Sequence, residues 1–150
     1  MSWQRRALIL LAAAWLGLLL SVALIATPAP FATLDKALAG RVVARVLAHE
    51  AAASVVLGAL TLALLRWETR RRFEAGQPVR QFDLQLGLAG AALFCTVAGY
   101  YGVQPMMEQA RAGQGSLGFG ALHAISVAFF GLKAVLVAAL AWALTRPSSS

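Results

Sequence analysis

Residues Ala7–Ala26 read ALILLAAAWLGLLLSVALIA, a run in which no side chain carries a charge. A helix rises about 1.5 Å per residue, so about 20 apolar residues cross the ~30 Å hydrocarbon core of a bilayer. Three further stretches meet the same requirement: Val42–Leu65, Leu84–Val103 and Leu117–Leu144. What lies between them is short and polar. The sequence therefore predicts an all-α integral membrane protein, a four-helix bundle forming one transmembrane domain over residues 1–150. Arg5-Arg6 followed by an apolar run resembles a secretory signal. The run exceeds the usual core of about 7–15 residues, so the first span is expected to be retained.

Composition agrees. Of 150 residues, 60% are hydrophobic and only 13% charged, with a mean hydropathy of +0.73, against roughly 25% charged in soluble domains. The net charge of +7 would suggest nucleic acid in a soluble chain, but its distribution excludes that partner. Arg5 and Arg6 precede the first span, Arg66, Arg70, Arg71, Arg72 and Arg80 follow the second, and Arg146 follows the fourth. The opposite loops hold only Lys36, Arg41 and Arg111. Positive residues in short loops mark the cytoplasmic side, so both termini are expected to be cytoplasmic in a bacterial inner membrane. Trp3, Trp67 and Trp142 then fall at the inner interface, with Tyr100 and Tyr101 at the outer one. Arg66, Arg70, Arg71 and Arg72 are expected to bind anionic lipid headgroups.

Proline sets the expected helix ends. Pro28 and Pro30 close the first span, and Pro105 falls in the loop after the third, because proline removes an amide donor and disfavours helix before it. Phe31, Leu34 and Leu38 suggest either a short interfacial helix or an early start to span two. Gly76 and Pro78 break the inner loop, Arg66–Asp83, and Ser116 is a candidate cap for helix four. Ala13, Gly17 and Ser21, and likewise Gly87 and Ala91, recur at four-residue spacing. Such ridges let helices approach closely in lipid, within one bundle or between copies in a homo-oligomer or larger complex.

Most motifs fail on context. Gly113-Gln-Gly115-Ser-Leu-Gly118 matches a dinucleotide fingerprint, which works only between a strand and a helix, not between two membrane helices. His49-Glu50 begins a zincin pattern, but Ala53 stands where the second histidine ligand is required. Cys95 has no cysteine to pair with and no visible base, so no catalytic constellation emerges.

Polar residues inside the spans carry the remaining signal. Each ionisable group costs roughly 2.5–3.5 kcal/mol at a helix centre on insertion scales, so such groups usually face the bundle interior. Arg45 and His49 lie one turn apart on helix two. Counted from Arg41 and Leu117, His49 and His123 fall about 12 and 9 Å deep, at similar levels on two helices. Lys133 falls about 24 Å deep and shares a broad face with His123, Ser126 and Phe130. Glu50 is its candidate counter-ion, against an apparent offset of about 10 Å. Arg45, His49, Glu50, His123, Ser126 and Lys133 thus form a candidate intramembrane cluster. It is open to three readings: polar glue between helices, a cavity for protons, metal or a small solute, or His49 and His123 ligating a b-type haem with Glu50 tuning them.

Several stretches resemble a known family. Trp15-Leu16-Gly17, Ala29-Pro30-Phe31-Ala32-Thr33-Leu34, Leu38-Ala39-Gly40-Arg41, Gln104-Pro105-Met106-Met107 and His123-Ala124-Ile125-Ser126 together resemble the bacterial membrane family called domain of unknown function 4149. That family is in turn similar to the eukaryotic transmembrane protein 205 family. The resemblance implies a four-helix membrane protein of unassigned activity. The eukaryotic members' association with platinum-drug resistance points to metal or toxic-solute handling; the expectation is a non-enzymatic accessory or stress-related factor handling metal or small solutes, with a haem- or porphyrin-linked redox protein using His49 and His123 as the alternative. Seven residues after the helix-four histidine, vertebrate relatives carry an asparagine; this chain has Phe130, with Lys133 beyond it. A looser likeness, by size and intramembrane histidine and lysine, connects it with copper-resistance-like and protoporphyrinogen-oxidase-like four-helix proteins.

Overall fold

The computed structural model describes residues 2–77 and 83–146. Four helices, each long and apolar enough to cross a membrane, follow one another: α1 (Trp3–Thr33), α2 (Lys36–Glu74), α3 (Leu84–Arg111) and α4 (Phe119–Thr145). α1 packs on α2 and α4, and α3 packs on the same two. α1 and α3, like α2 and α4, stand diagonally opposite without contact between their backbones. Short connections between consecutive helices produce this up-and-down square.

Each helix turns inward the positions that recur at alternating steps of three and four. On α1 these are Leu8, Ala12, Trp15 and Leu19, and on α2 Ala51, Ser54, Gly58, Thr61 and Leu65. α4 contributes Lys133, Val137, Leu140 and Leu144. The buried apolar residues form three layers. Leu8, Ala12, Leu65, Ala89, Leu140 and Leu144 fill the end nearest the chain's N-terminus. Trp15, Leu19, Ala92 and Val137 fill the middle, and Val103, Met107 and Leu122 the far end. In lipid no hydrophobic drive brings helices together, so close contact between small residues must do it. The ridges expected for that role point elsewhere: Ala13, Gly17, Ser21 and Gly87 are exposed. Glycines instead make room for a neighbour's side chain: a Cβ added at Gly58 would meet the Trp15 ring at 3.0 Å, and one added at Gly99 would fall on Phe129 Cβ.

The prolines do not end their helices. In α1 a π-helical turn, Val22–Ala26, precedes Pro28, and Thr27 N–H reaches back five residues to the Val22 carbonyl (2.9 Å). The widened turn places Pro28 at the start of a fresh segment, where its missing N–H and fixed φ are tolerated. α3 repeats the device: a π turn at Val97–Gly102 precedes Pro105, and the helix continues to Arg111. α2 begins early, at Lys36, because the Asp35 carboxylate caps it by accepting from Leu38 N–H at 3.0 Å. It also runs on through Arg66–Glu74, read from sequence as loop, and stops at Gly76 in a Schellman turn. There φ is +72°, and Gln77 N–H bonds to the Arg72 carbonyl at 3.0 Å. The expectations for Pro78, Arg80 and the C-terminal serines fall outside the described residues.

Gly113 ends α3 the same way, with φ +72° and Gln114 N–H on the Gln109 carbonyl at 2.9 Å. Gly118, not Ser116, occupies the N-cap of α4. The three glycines of the G-x-G-x-x-G match are thus used in closing one helix, turning the chain and opening the next.

Candidate functional site

The centre of the bundle holds a polar string drawn from three helices. Trp15 of α1 donates its indole N–H to Ser54 Oγ of α2 at 2.9 Å. Ser54 donates in turn to Glu50 Oε1, one helical turn earlier. From α4, Lys133 Nζ donates to the same Oε1 at 2.7 Å. The Lys133 and Glu50 side chains are each 3% exposed, so this ion pair is sealed within the protein. It joins the two helices that lie diagonally opposite, spanning the bundle where their backbones do not meet. Lys133 Nζ also lies 4.9 Å from the centre of the Phe130 ring, a cation–π contact from its own helix.

The depth offset expected from sequence disappears. Glu50 follows Lys36, the first residue of α2, by fourteen residues, and Lys133 follows Phe119, the first of α4, by fourteen. Both therefore sit about 21 Å into their helices. Arg41 and Leu117 were unequal reference points, because α2 starts earlier than its apolar run and α4 later.

The same alignment separates the histidines. With the ion pair as the common level, His49 is one residue above it and His123 ten, an axial offset of about 13 Å. Both are exposed. His49 Nδ1 lies 2.8 Å from the Arg45 carbonyl oxygen, which only accepts, so Nδ1 carries hydrogen. His123 stacks on Phe119 (6.0 Å between centres, 12° between planes), whose ring also carries the Arg111 guanidinium at 4.7 Å. The expected level match between the two histidines is corrected, and axial ligation of one haem iron by both does not fit this placement. Among the described residues no three His, Cys, Asp or Glu side chains gather as a metal site.

Ser126 serves the backbone. Its hydroxyl donates to the Gly99 carbonyl at 3.2 Å, inside the π turn of α3. Widening a helical turn displaces carbonyls from their usual partners, and a serine from a neighbouring helix restores the bond.

Arg45 and His49 open on a groove of about 530 Å³ between α1 and α2, lined also by Leu18, Val22, Val42, Val46, Ala53 and Glu50. Val22, the first residue of the π turn of α1, is part of its wall. Glu50, though nearly buried, is among the lining residues. Both donors converge on Oε1, and Oε2 meets no donor among the described residues.

The headgroup candidates lie on the last turns of α2, all exposed. Arg70 pairs with Glu74 at 2.9 Å and Arg72 with Glu68, while Arg71 lies 5.6 Å from the Trp67 ring. Trp67 packs edge-on against Trp3 at 5.6 Å, and Arg146, 5.9 Å from the Trp142 ring, accepts from Arg5 through its carbonyl. The three tryptophans and most arginines therefore collect at one end of the bundle.

Trp15 and Ser54 were not foreseen as site residues. The available signal was a tryptophan in mid-span, far from the interfaces tryptophan prefers, whose N–H needs a partner there.

No curated protein and no solved structure matches the chain. A family described as "Domain of unknown function (DUF4149)" matches residues 10–116, a stretch that contains Trp15, Glu50 and Ser54 and ends before α4. The chain is a membrane protein and belongs to the domain of unknown function 4149 family.

Proposed function

We propose that this chain is a non-enzymatic bacterial inner-membrane protein, both termini cytoplasmic, that handles a small solute in the groove between α1 and α2. The observation that carries the reading is that Glu50, bonded through Oε1 alone, stands with Arg45 and His49 among the residues that line that groove. A carboxylate oxygen without a bond from the protein can accept one from an occupant of the groove. Intramembrane ionisable groups that line cavities mark pathways and binding sites. Positive charge on Arg45 and Lys133 beside the one carboxylate favours a solute over a metal cation. An accessory or stress-related role fits a small solute site of this kind. The arginine-rich end supports the orientation and contact with anionic headgroups. The outward ridge of Ala13, Gly17 and Ser21 supports contact between copies.

The test is a deletion strain of the source bacterium grown across a panel of metal salts and small organic solutes. It is complemented with wild type, K133M, or the double substitution E50M/K133M. Sensitivity to at least one compound is expected, restored by wild type and by neither variant at matched protein levels. Absence of any growth difference, or full rescue by E50M/K133M, would count against the proposal.

A further inference from the structure

We infer that the groove takes a small amphipathic monoanion, a free carboxylate with an apolar body, seated with its charge on Arg45. This rests on the solute-site reading above and adds the class of solute. Arg45 stands nine residues into α2 on the groove wall. Its side chain forms no ion pair or hydrogen bond with any described residue. A cation left unpaired against lipid is unfavourable, and a ligand of opposite charge would relieve it. The charge count sets how many negative charges are needed. Glu50 and Lys133 neutralise each other, and Arg45 adds one positive charge. One negative charge brings the site to zero, two overshoot, and a cation worsens the imbalance.

The rest of the lining describes the rest of the ligand. Leu18, Val22, Val42, Val46 and Ala53 are apolar, so beyond its charge the occupant presents hydrocarbon. The groove's 530 Å³ lies within the range of small-molecule clefts. Glu50 follows Arg45 by five residues, about 7.5 Å along the helix axis. A carboxylate held on Arg45 therefore stays clear of Oε2, which is left to accept a hydrogen bond from a hydroxyl or water carried in with the ligand. The apolar lining favours a free carboxylate with a hydrocarbon body, and a phospholipid headgroup, the other source of such a charge, is separated from it by the experiment below.

Direct binding tests this on the full chain in phosphatidylcholine nanodiscs, with octanoate, octanol and octylammonium as matched probes. Octanoate is expected to bind saturably and at least about tenfold more tightly than the other two. R45Q should weaken it about tenfold, while R45K, which keeps the charge, should retain most of the affinity. Equal binding of octanoate to wild type and R45Q would overturn the carboxylate assignment. So would tighter binding of octanol or octylammonium, although the solute site would then stand. If none of the three saturates, the solute-site reading itself falls. Loss of octanoate binding when phosphatidylglycerol replaces a fraction of the lipid would assign the groove to a lipid headgroup and overturn the free-carboxylate claim.

Discussion

α1 and α3 carry a π turn and a proline in the same half of the bundle, whereas α2 and α4 run unbroken and supply the central ion pair. The first two helices give way locally; the second two hold a charged brace across the diagonal. The difference follows from what each must satisfy. A helix with a mid-span proline must displace backbone hydrogen bonds, and lipid offers no water to replace them. The displaced groups are recovered inside the helix, as at Thr27, or by a neighbour, as at Gly99. A helix carrying a buried charge needs the opposite property, a fixed register that delivers the charge to its partner. Fourteen unbroken helical residues before Glu50, and fourteen before Lys133, provide it.

Breaking the brace should have the largest effect. K133M leaves the Glu50 carboxylate buried without its cation, and removing one member of a buried pair costs about 3–5 kcal/mol. Reversible unfolding in mixed micelles should show that loss, and a change below about 1 kcal/mol would mean the pair is dispensable. Next comes the yielding side. G99V places a branched side chain where even a Cβ would collide with Phe129 Cβ. Overpacking of this kind costs about 1–3 kcal/mol, and the same assay should detect it. A neutral G99V would mean that α3 and α4 are not held at this distance. W15F removes the indole donor to Ser54 but keeps the ring, and about 1 kcal/mol is expected for one net hydrogen bond. S126A sharpens the contrast at the small end. Interhelical hydrogen bonds in membranes average about 0.6 kcal/mol, so S126A should cost far less than K133M. Smallest is H49A combined with H123A, both at exposed positions: less than about 0.5 kcal/mol is expected. The protein purified from haem-sufficient cells should show no Soret band for that double variant to remove.

Much of the architecture was legible in the sequence. Apolar runs of twenty residues or more leave few alternatives, and four of them set the helix count. The helix ends were not legible, because proline reads as a terminator unless the chain can widen the preceding turn, and nothing in Val22–Ala26 or Val97–Gly102 announces that it will. The extension of α2 through Arg66–Glu74 was hidden for a different reason: hydropathy marks where lipid ends, not where helix ends. Those misplaced ends obscured the site. Glu50 and Lys133 were both singled out, yet depths counted from Arg41 and Leu117 set them apart and brought His49 and His123 together. Trp15 and Ser54 lay in plain three-and-four periodicity with Leu8, Ala12 and Leu19, and with Ala51, Gly58 and Thr61. That pattern predicts which face is buried but not which buried groups will bond. The direction of the small-residue ridges was not legible, because spacing alone does not say which way a face points.

The most direct test of the diagonal brace is a double-mutant cycle on E50M, K133M and E50M/K133M, with unfolding free energies measured in the same lipid. Replacing both members of a buried pair with apolar side chains of similar volume is often neutral or stabilising, whereas removing one is not. Each single variant should lose several kcal/mol and the double variant should return close to wild type, giving a coupling energy of about 3 kcal/mol or more. Additive effects, within about 0.5 kcal/mol, would show that Glu50 and Lys133 do not meet across the bundle.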